Sequence, residues 1–151
     1  MDSIFSVVLS FHNIIRWLIF ISVAISFVKI SQAHFGGKGF GSKEKKFHLI
    51  SMILMDIQFL IGIALYSFLS PITKAAFSDF KSAMKTKELR FFAVEHILLM
   101  VAVLVIIHIA NIISKKEKDE KKKSKKMFFY YLIIFILLLS GNPWFRPFLP
   151  F

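Results

Sequence analysis

The chain has 151 residues and no cysteine, and 56% of its residues are hydrophobic, with 19 phenylalanines among them. This composition is too apolar for a soluble domain of that length and indicates a membrane protein, while the missing cysteines exclude disulfides, iron–sulfur clusters and thiol catalysis. The formal net charge of +11 is concentrated in lysine-rich segments, so it describes connections between spans rather than a uniformly basic surface.

Four apolar runs predict four membrane-spanning helices, at roughly residues 7–28, 48–69, 91–113 and 127–146. The first run has no basic segment before it and no small-residue cleavage motif after it, which favours a retained helix over a signal peptide. The predicted fold is therefore all-α: a four-helix transmembrane bundle that forms a single integral membrane domain over residues 1–151.

The first connection, "SQAHFGGKGFGSKEKK", is rich in glycine, and we expect it to be flexible, with His34 exposed to water. His48 opens the second span, where a histidine at the membrane interface is expected. Lysines gather in this connection and again in the third, "SKKEKDEKKKSKK".

The lysine distribution predicts the orientation in the membrane. The positive-inside rule places the first and third connections in the cytoplasm and both termini outside, as in a multi-pass protein of a bacterial inner membrane. We interpret the lysines as topology determinants and as contacts for anionic lipid, and we expect no nucleic-acid partner.

An amphipathic helix is predicted in the second connection, on the outer surface. Ser70 and Pro71 have the residue types of a helix N-cap and of a first helical position. Apolar residues separated by lysines then recur every four positions, at Ile72, Ala76, Phe80 and Met84. Such a helix would either anchor the loop at the membrane surface or form a lid over a site beneath it.

The fourth helix is expected to be broken. Its helical pattern, Met127 to Leu139, covers only about 20 Å at 1.5 Å per residue, which is less than the roughly 30 Å of a hydrocarbon core. The following "SGNPWFRPFLPF" contains residues that end or disrupt helices, namely Gly141, Pro143, Pro147 and Pro150. Because irregular backbone at membrane depth must be buried or line a cavity, we predict a pocket in the outer half, with Trp144 and Arg146 as interface anchors or pocket wall.

Ionisable residues inside the spans are costly unless they are paired or hydrated, so they mark a candidate site. Glu95 and His96 lie in the outer part of the third span, and His12 and Arg16 lie one helical turn apart in the first. Counting 1.5 Å per residue from the centre of each span places His12 and His96 at the same depth. The second span adds a face formed by Gln58, Gly62 and Tyr66.

Three hypotheses explain these residues. Two level histidines predict the axial ligands of a b-type haem, with His12 and His96 on the iron, Arg16 and Glu95 beside them, and a membrane or periplasmic redox partner. A second hypothesis is a proton or anion relay, or a quinone-head site without haem. A third is an accessory or assembly subunit of a larger membrane complex, in which Arg16 pairs with Glu95 or Asp56 and the histidines tie helices together.

The stretches "HNIIRW", "IQFLIGIALYSFLSP", "LRFFAVEH" and "NPWFRPF" resemble a family of small four-span bacterial membrane proteins, common in Bacteroidetes and loosely labelled cytochrome b-like. The resemblance covers most of the chain, and "RFFAVEH" is its most specific element. It implies a four-helix integral membrane protein that binds haem. The matching residues are His12, Arg16, Trp17, Gln58, Glu95 and His96, while Asp56 stands where the family carries a histidine.

Overall fold

Helices make up most of the protein, whose computed structural model describes residues 2–146. In chain order they are α1 (Asp2–Phe35), α2 (Ser42–Ala64), α3 (Pro71–Ser78), α4 (Phe80–Ala83), α5 (Lys87–Arg90), α6 (His96–Lys116) and α7 (Glu120–Gly141). A π-helical turn, Leu65–Leu69, extends α2, and a second one, Phe91–Glu95, joins α5 to α6.

Four segments within residues 2–146 are long and apolar enough to cross a membrane: Ser3–Phe35, Ser42–Leu69, Lys87–Lys116 and Glu120–Gly141. The first three contain the predicted runs and extend beyond them because charged and polar residues at several of their ends are also helical, whereas the fourth starts seven residues before the predicted run and ends five residues before its predicted end. The chain is a multi-pass membrane protein, and the predicted all-α four-helix bundle is confirmed.

The four long helices form a closed ring, in which α1 packs against α2 and α7, and α6 packs against the same two helices. The centre of the ring is apolar and fully buried, with contributions from Val23, Ile30, Ile107, Met127 and Ile134. Because successive long helices alternate in direction, α3 lies at one end of the bundle and the two lysine-rich connections lie at the other. These are called the α3 end and the lysine end below.

The predicted start of the loop helix is confirmed. Ser70 caps α3, since its hydroxyl accepts a hydrogen bond from Thr73 N at 3.3 Å, and Pro71 takes the first helical position. The helix is docked on the two π-helical turns: Thr73 Oγ1 donates to Tyr66 O at 2.9 Å, and Tyr66 Oη donates to Ala93 O at 2.8 Å. The α3 end is therefore closed by a helix that is hydrogen-bonded to the bundle.

The loop helix is nevertheless split in two. Asp79 leaves the helical conformation (φ −143°, ψ 81°), and its carboxylate caps α4 by accepting a hydrogen bond from Ser82 N at 3.0 Å. The interruption changes the register of the residues after it. Ala76 and Ala83 are buried, whereas Phe80, which follows Ala76 by four residues, is exposed.

The fourth span is a continuous helix of 22 residues that starts directly after Asp119. At 1.5 Å per residue it is about 33 Å long, and it starts seven residues before Met127, so the predicted start of the helix was wrong. The difference arises because the lysine-rich segment is itself helical. The predicted break follows Gly141, where residues 142–146 form turns, and Pro147 and Pro150 lie outside the described residues.

Two histidines differ from their predicted surroundings. His34 belongs to the last turn of α1, and its ring stacks on Phe128 with the ring centroids 5.4 Å apart, so it is not a solvated loop residue. His48, expected at the membrane interface, is fully buried because α2 begins six residues earlier, at Ser42, and places it inside the bundle.

Candidate functional site

A cavity of about 150 Å³ lies between the four long helices at the α3 end, where the sequence predicted a pocket. Its wall is mostly apolar, and Ile72 and Thr73 of the α3 segment contribute to it. Polar side chains from four parts of the bundle also reach the wall, among them His12, Arg16, Gln58, His96 and Asn142. A largely apolar pocket with a few polar groups is the usual composition of a small-molecule site.

His12 and His96 meet inside the cavity. Their ring centroids are 6.4 Å apart and their planes are inclined by 67°, which is an edge-to-face contact. The rings therefore lie at one depth on facing helices, as the distances from the span centres indicated. Gly62 of α2 makes room for this pair, since a Cβ atom placed there would come within 3.4 Å of His12 Cε1.

The hydrogen bond of His96 fixes its tautomer. Its Nδ1 lies 2.7 Å from Gly141 O, at the end of α7. Because a carbonyl oxygen can only accept, Nδ1 carries the proton, and in the neutral ring Nε2 keeps its lone pair. The end of α7 thereby orients His96 as an acceptor of a hydrogen bond or as a metal ligand.

Three polar atoms of the cavity wall are buried without a hydrogen-bond partner among residues 2–146: His12 Nδ1, Gln58 Oε1 and Asn142 Oδ1. The amide nitrogen of Gln58 is occupied, because Nε2 donates to His12 O at 3.0 Å, which leaves its oxygen for another donor. Buried polar groups without partners are rare in proteins and costly. Their convergence in one cavity indicates a ligand or ordered water that supplies donors.

Glu95, predicted in the site with His96, lies outside the cavity wall. Its Oε1 accepts a hydrogen bond from Arg90 Nε at 2.7 Å, and its side chain is 44% exposed. The ion pair with Arg90 holds the Glu95 carboxylate away from the cavity, so of these two neighbours only His96 lines the wall. Asp56 also lies beside a basic side chain: its Oδ1 is 3.4 Å from Nε2 of His108.

The segment after α7 reaches back over the cavity. Arg146 lines the wall, its Nη2 donates to Glu88 Oε1 at 2.6 Å, and its guanidinium lies 4.6 Å from the ring centroid of Phe92. Trp144 is exposed, and its Nε1 donates to Leu139 O at 2.7 Å. Of the two predicted wall or anchor residues, Arg146 is therefore a wall residue and Trp144 faces outward.

The residue types suit haem iron, but the cavity does not suit the macrocycle. His12 and His96 are the residues that would hold the iron, since a neutral imidazole nitrogen is a common iron ligand. A cavity of about 150 Å³, however, is the size that holds one benzene ring in a protein core. A porphyrin, with four pyrrole rings, is several times larger.

A second buried polar group, which the sequence analysis did not single out, lies nearer the lysine end. His48 Nδ1 is 2.9 Å from Tyr131 Oη, and Ser26 Oγ is 3.0 Å from Ser51 Oγ, with all four side chains fully buried. The sequence contains a pattern that could have predicted this group: polar residues lie one helical turn apart on the facing helices α1 (Ser22 and Ser26) and α2 (His48 and Ser51). These bonds tie α1, α2 and α7 together below the cavity.

The protein is thus a four-helix membrane protein with a small, partly polar cavity at one end. Comparison with models of known protein families, with curated proteins and with solved structures gives no match.

Proposed function

We propose that the cavity binds the polar ring of a lipid-soluble molecule of the quinone and quinol class. The observation that carries this proposal is the convergence of three buried, unpartnered polar atoms, on His12, Gln58 and Asn142, in an apolar cavity large enough for one six-membered ring. A hydrocarbon ligand would leave those atoms unpartnered, so the ligand is expected to carry polar groups on its ring.

The hydroxyl groups of a quinol have the chemistry that these atoms require. They can donate hydrogen bonds to two of the three acceptors on the wall, which are the amide oxygens of Gln58 and Asn142 and Nε2 of His96, and their oxygens accept from Arg16. His96 keeps the lone pair of Nε2, because its Nδ1 donates to Gly141 O, and so accepts a hydrogen bond or a proton from the ring hydroxyl. In this proposal the chain binds and orients the ring.

The apolar tail of such a molecule needs an exit into lipid. Ile63 lines the cavity and is 39% exposed on the outside of α2, and Phe5 of α1 lines it as well. The outer parts of α1 and α2 therefore offer an apolar route from the cavity to the bilayer.

A ligand titration tests the proposal. The purified protein in lipid discs is mixed with a short-tailed benzoquinol, the matching benzoquinone, or the isoprenoid tail alone, and the unfolding midpoint is measured. Binding to the folded state stabilises it by about 1.4 kcal/mol for each tenfold of ligand above Kd. We expect the midpoint to rise most with the quinol, whose hydroxyls donate to the wall, less with the quinone, which only accepts hydrogen bonds, and not with the tail.

Matched variants locate the binding site. Gly62→Leu fills the cavity beside His12 and should abolish the shift, whereas Ile133→Phe adds bulk on the exposed face of α7, away from the cavity wall, and should not change it. Gln58→Leu should also weaken binding, because it removes an amide oxygen from the wall. Equal shifts in Gly62→Leu and the unchanged protein would refute the cavity as the site.

The haem b hypothesis is tested by the same preparation. It requires a Soret band in the protein isolated from its native membrane, and a low-spin spectrum that is lost in His12→Ala and in His96→Ala. If that spectrum is found, the cavity must open to admit the macrocycle and the quinone proposal fails. If neither haem nor head-group binding is observed, the result supports the hypothesis that the protein is an accessory subunit.

We further propose that the lysine end faces the cytoplasm and contacts anionic lipid, which places both termini outside a bacterial inner membrane. The supporting observation is a cleft between the first and third connections, lined by His34, Lys121, Lys122 and Lys125. Clusters of basic residues beside a span are attracted to anionic head groups. Binding to vesicles with anionic lipid, but not to zwitterionic ones, should weaken when the three lysines are changed to glutamine.

A further inference from the structure

An acid and a base lie side by side on the lipid face of the bundle, away from the cavity. Asp56 is in the middle of the α2 span, and its Oδ1 lies 3.4 Å from Nε2 of His108 on α6. Their side chains are 43% and 46% exposed. Ionisable side chains within spans almost always face the protein interior or a water-filled cavity, so a pair this exposed is unusual.

Asp56 and His108 cannot satisfy all of each other's hydrogen-bonding groups. His108 Nδ1 lies 2.9 Å from Leu104 O, so Nδ1 donates to that carbonyl and a single further proton is shared between Nε2 and the Asp56 carboxyl. A carboxyl group accepts more hydrogen bonds than this one contact provides. The remaining acceptor capacity of Asp56 faces the hydrocarbon unless another protein surface covers it.

The surface around the pair is apolar and open. Leu60 lies one turn from Asp56 towards the α3 end and is 69% exposed, and Val105 lies one turn from His108 in the same direction and is 52% exposed. Ile53 and Ile112 continue the exposed surface towards the lysine end. The α2/α6 face, defined by these residues, thus has one acid and one base within an apolar patch.

We propose that the α2/α6 face is the interface with a second copy of this chain. A twofold axis parallel to the membrane normal places α2 of each protomer opposite α6 of its partner and keeps equal depths together. Each Asp56 then lies opposite a second His108, at the same depth, so that acid and base alternate around the four groups and all four are removed from lipid. The charge pattern is self-complementary, which is why a second copy is the occupant inferred.

Cross-linking in the membrane tests the dimer, and the cysteine-free chain makes the experiment specific. Leu60→Cys and Val105→Cys are made in separately tagged copies, co-expressed at low level and oxidised in native membranes. We expect a disulfide-linked dimer that contains both tags. As the matched control, Leu60→Cys is paired with Ile14→Cys, an exposed residue of α1 on another face of the bundle, and should give little product.

The polar pair is tested by substitution in the same assay. Interhelical hydrogen bonds in membranes correspond to a roughly three- to tenfold change in association, so Asp56→Asn and His108→Leu should each lower the cross-linked fraction by that factor. The exchange Asp56→His with His108→Asp should restore it. If Leu60→Cys and Val105→Cys copies form no mixed-tag dimer, or cross-link only to other proteins, the second copy is not the occupant and the proposal is overturned.

Discussion

Single hydrogen bonds decide what the histidines of this protein can do. In His96 and His108 the Nδ1 atom faces a backbone carbonyl, which only accepts, so the proton sits on Nδ1 and Nε2 is turned towards the cavity or towards Asp56. His48 instead faces the hydroxyl of Tyr131, which both donates and accepts, so its tautomer is not fixed by that bond.

The bond between His48 and Tyr131 should contribute measurably to stability. Tyr131→Phe leaves His48 Nδ1 buried without a partner, and the expected loss is about 1–3 kcal/mol of unfolding free energy. The double change with His48→Leu should cost less than the sum of the two single changes, because the imidazole nitrogen that Tyr131→Phe leaves unpaired is then absent. Unfolding of the detergent-solubilised protein by a denaturing detergent measures these differences.

The control for this comparison of single and double substitutions is Tyr130→Phe, which removes a hydroxyl from the neighbouring residue. Its cost should be smaller and should add to that of His48→Leu. Strict additivity of Tyr131→Phe and His48→Leu would show that the two side chains do not interact in the membrane-embedded protein.

Two glycines of the cavity should respond differently to alanine. A Cβ atom at Gly141 would be 3.2 Å from Leu99 Cβ and would press on Met100 Cε, so in Gly141→Ala the end of Met100 must turn away and Leu99 must shift, which should cost about 1–3 kcal/mol. At Gly62 the nearest atom, His12 Cε1, is at the ordinary contact distance of 3.4 Å. Gly62→Ala should therefore be neutral or stabilising, by up to about 1 kcal/mol, in the same unfolding assay.

Helix caps set the lengths of the elements more than hydrophobic runs do. Asp79 divides the loop helix into α3 and α4, and Asp119 starts α7 well before its first apolar residue. The π-helical turns Leu65–Leu69 and Phe91–Glu95 have a similar effect, because each changes the direction of the side chains that follow. Through the second of these turns His96, and not Glu95, faces the cavity.

The cap of α7 predicts a dependence on pH. Asp119 Oδ1 accepts hydrogen bonds from Lys122 N at 3.1 Å and Lys121 N at 2.9 Å, and these bonds hold the pKa of Asp119 below its ordinary value. A carboxyl whose pKa is lower in the folded state contributes stability above its unfolded pKa, about 3.9, and loses it as the pH falls through the folded pKa. We expect the unfolding midpoint to fall between pH 5 and roughly pH 3.

The variant Asp119→Asn isolates this contribution. Asparagine also caps helices but does not titrate in this range, so the midpoint should vary less with pH than in the unchanged protein. Residual dependence is expected, because hydrogen bonds also lower the pKa of Asp79 and of Glu117. A pH profile identical to that of the unchanged protein would show that Asp119 is not responsible.

The orientation of the bundle can be tested independently of any ligand. Alkaline phosphatase fused after Phe151 should be active, because the enzyme folds only outside the cytoplasm and the lysine-rich connections favour the inside. The same reporter inserted between Ser114 and Lys126 should be inactive. The opposite result at both positions would reverse the orientation and place the cavity on the cytoplasmic side.

The sequence alone determined the membrane-spanning bundle, the capped helix at the α3 end and the level pair His12 and His96. These follow from local hydrophobicity, cap residues and the rise per residue, which depend little on distant parts of the chain. The length of α7 was mispredicted because its first turns are charged, and hydropathy does not detect a helix that leaves the membrane.

Only the tertiary structure decided which polar residues share a cavity. Glu95 is one residue from His96 in sequence yet pairs with Arg90 on the surface, and Asn142, on the turn after α7, reaches the cavity from the far end of the chain. The pairing of His48 with Tyr131 joins residues that are 83 positions apart. Side-chain direction and interhelical contacts depend on how the helices rotate and pack against one another, and these quantities are properties of the assembled bundle.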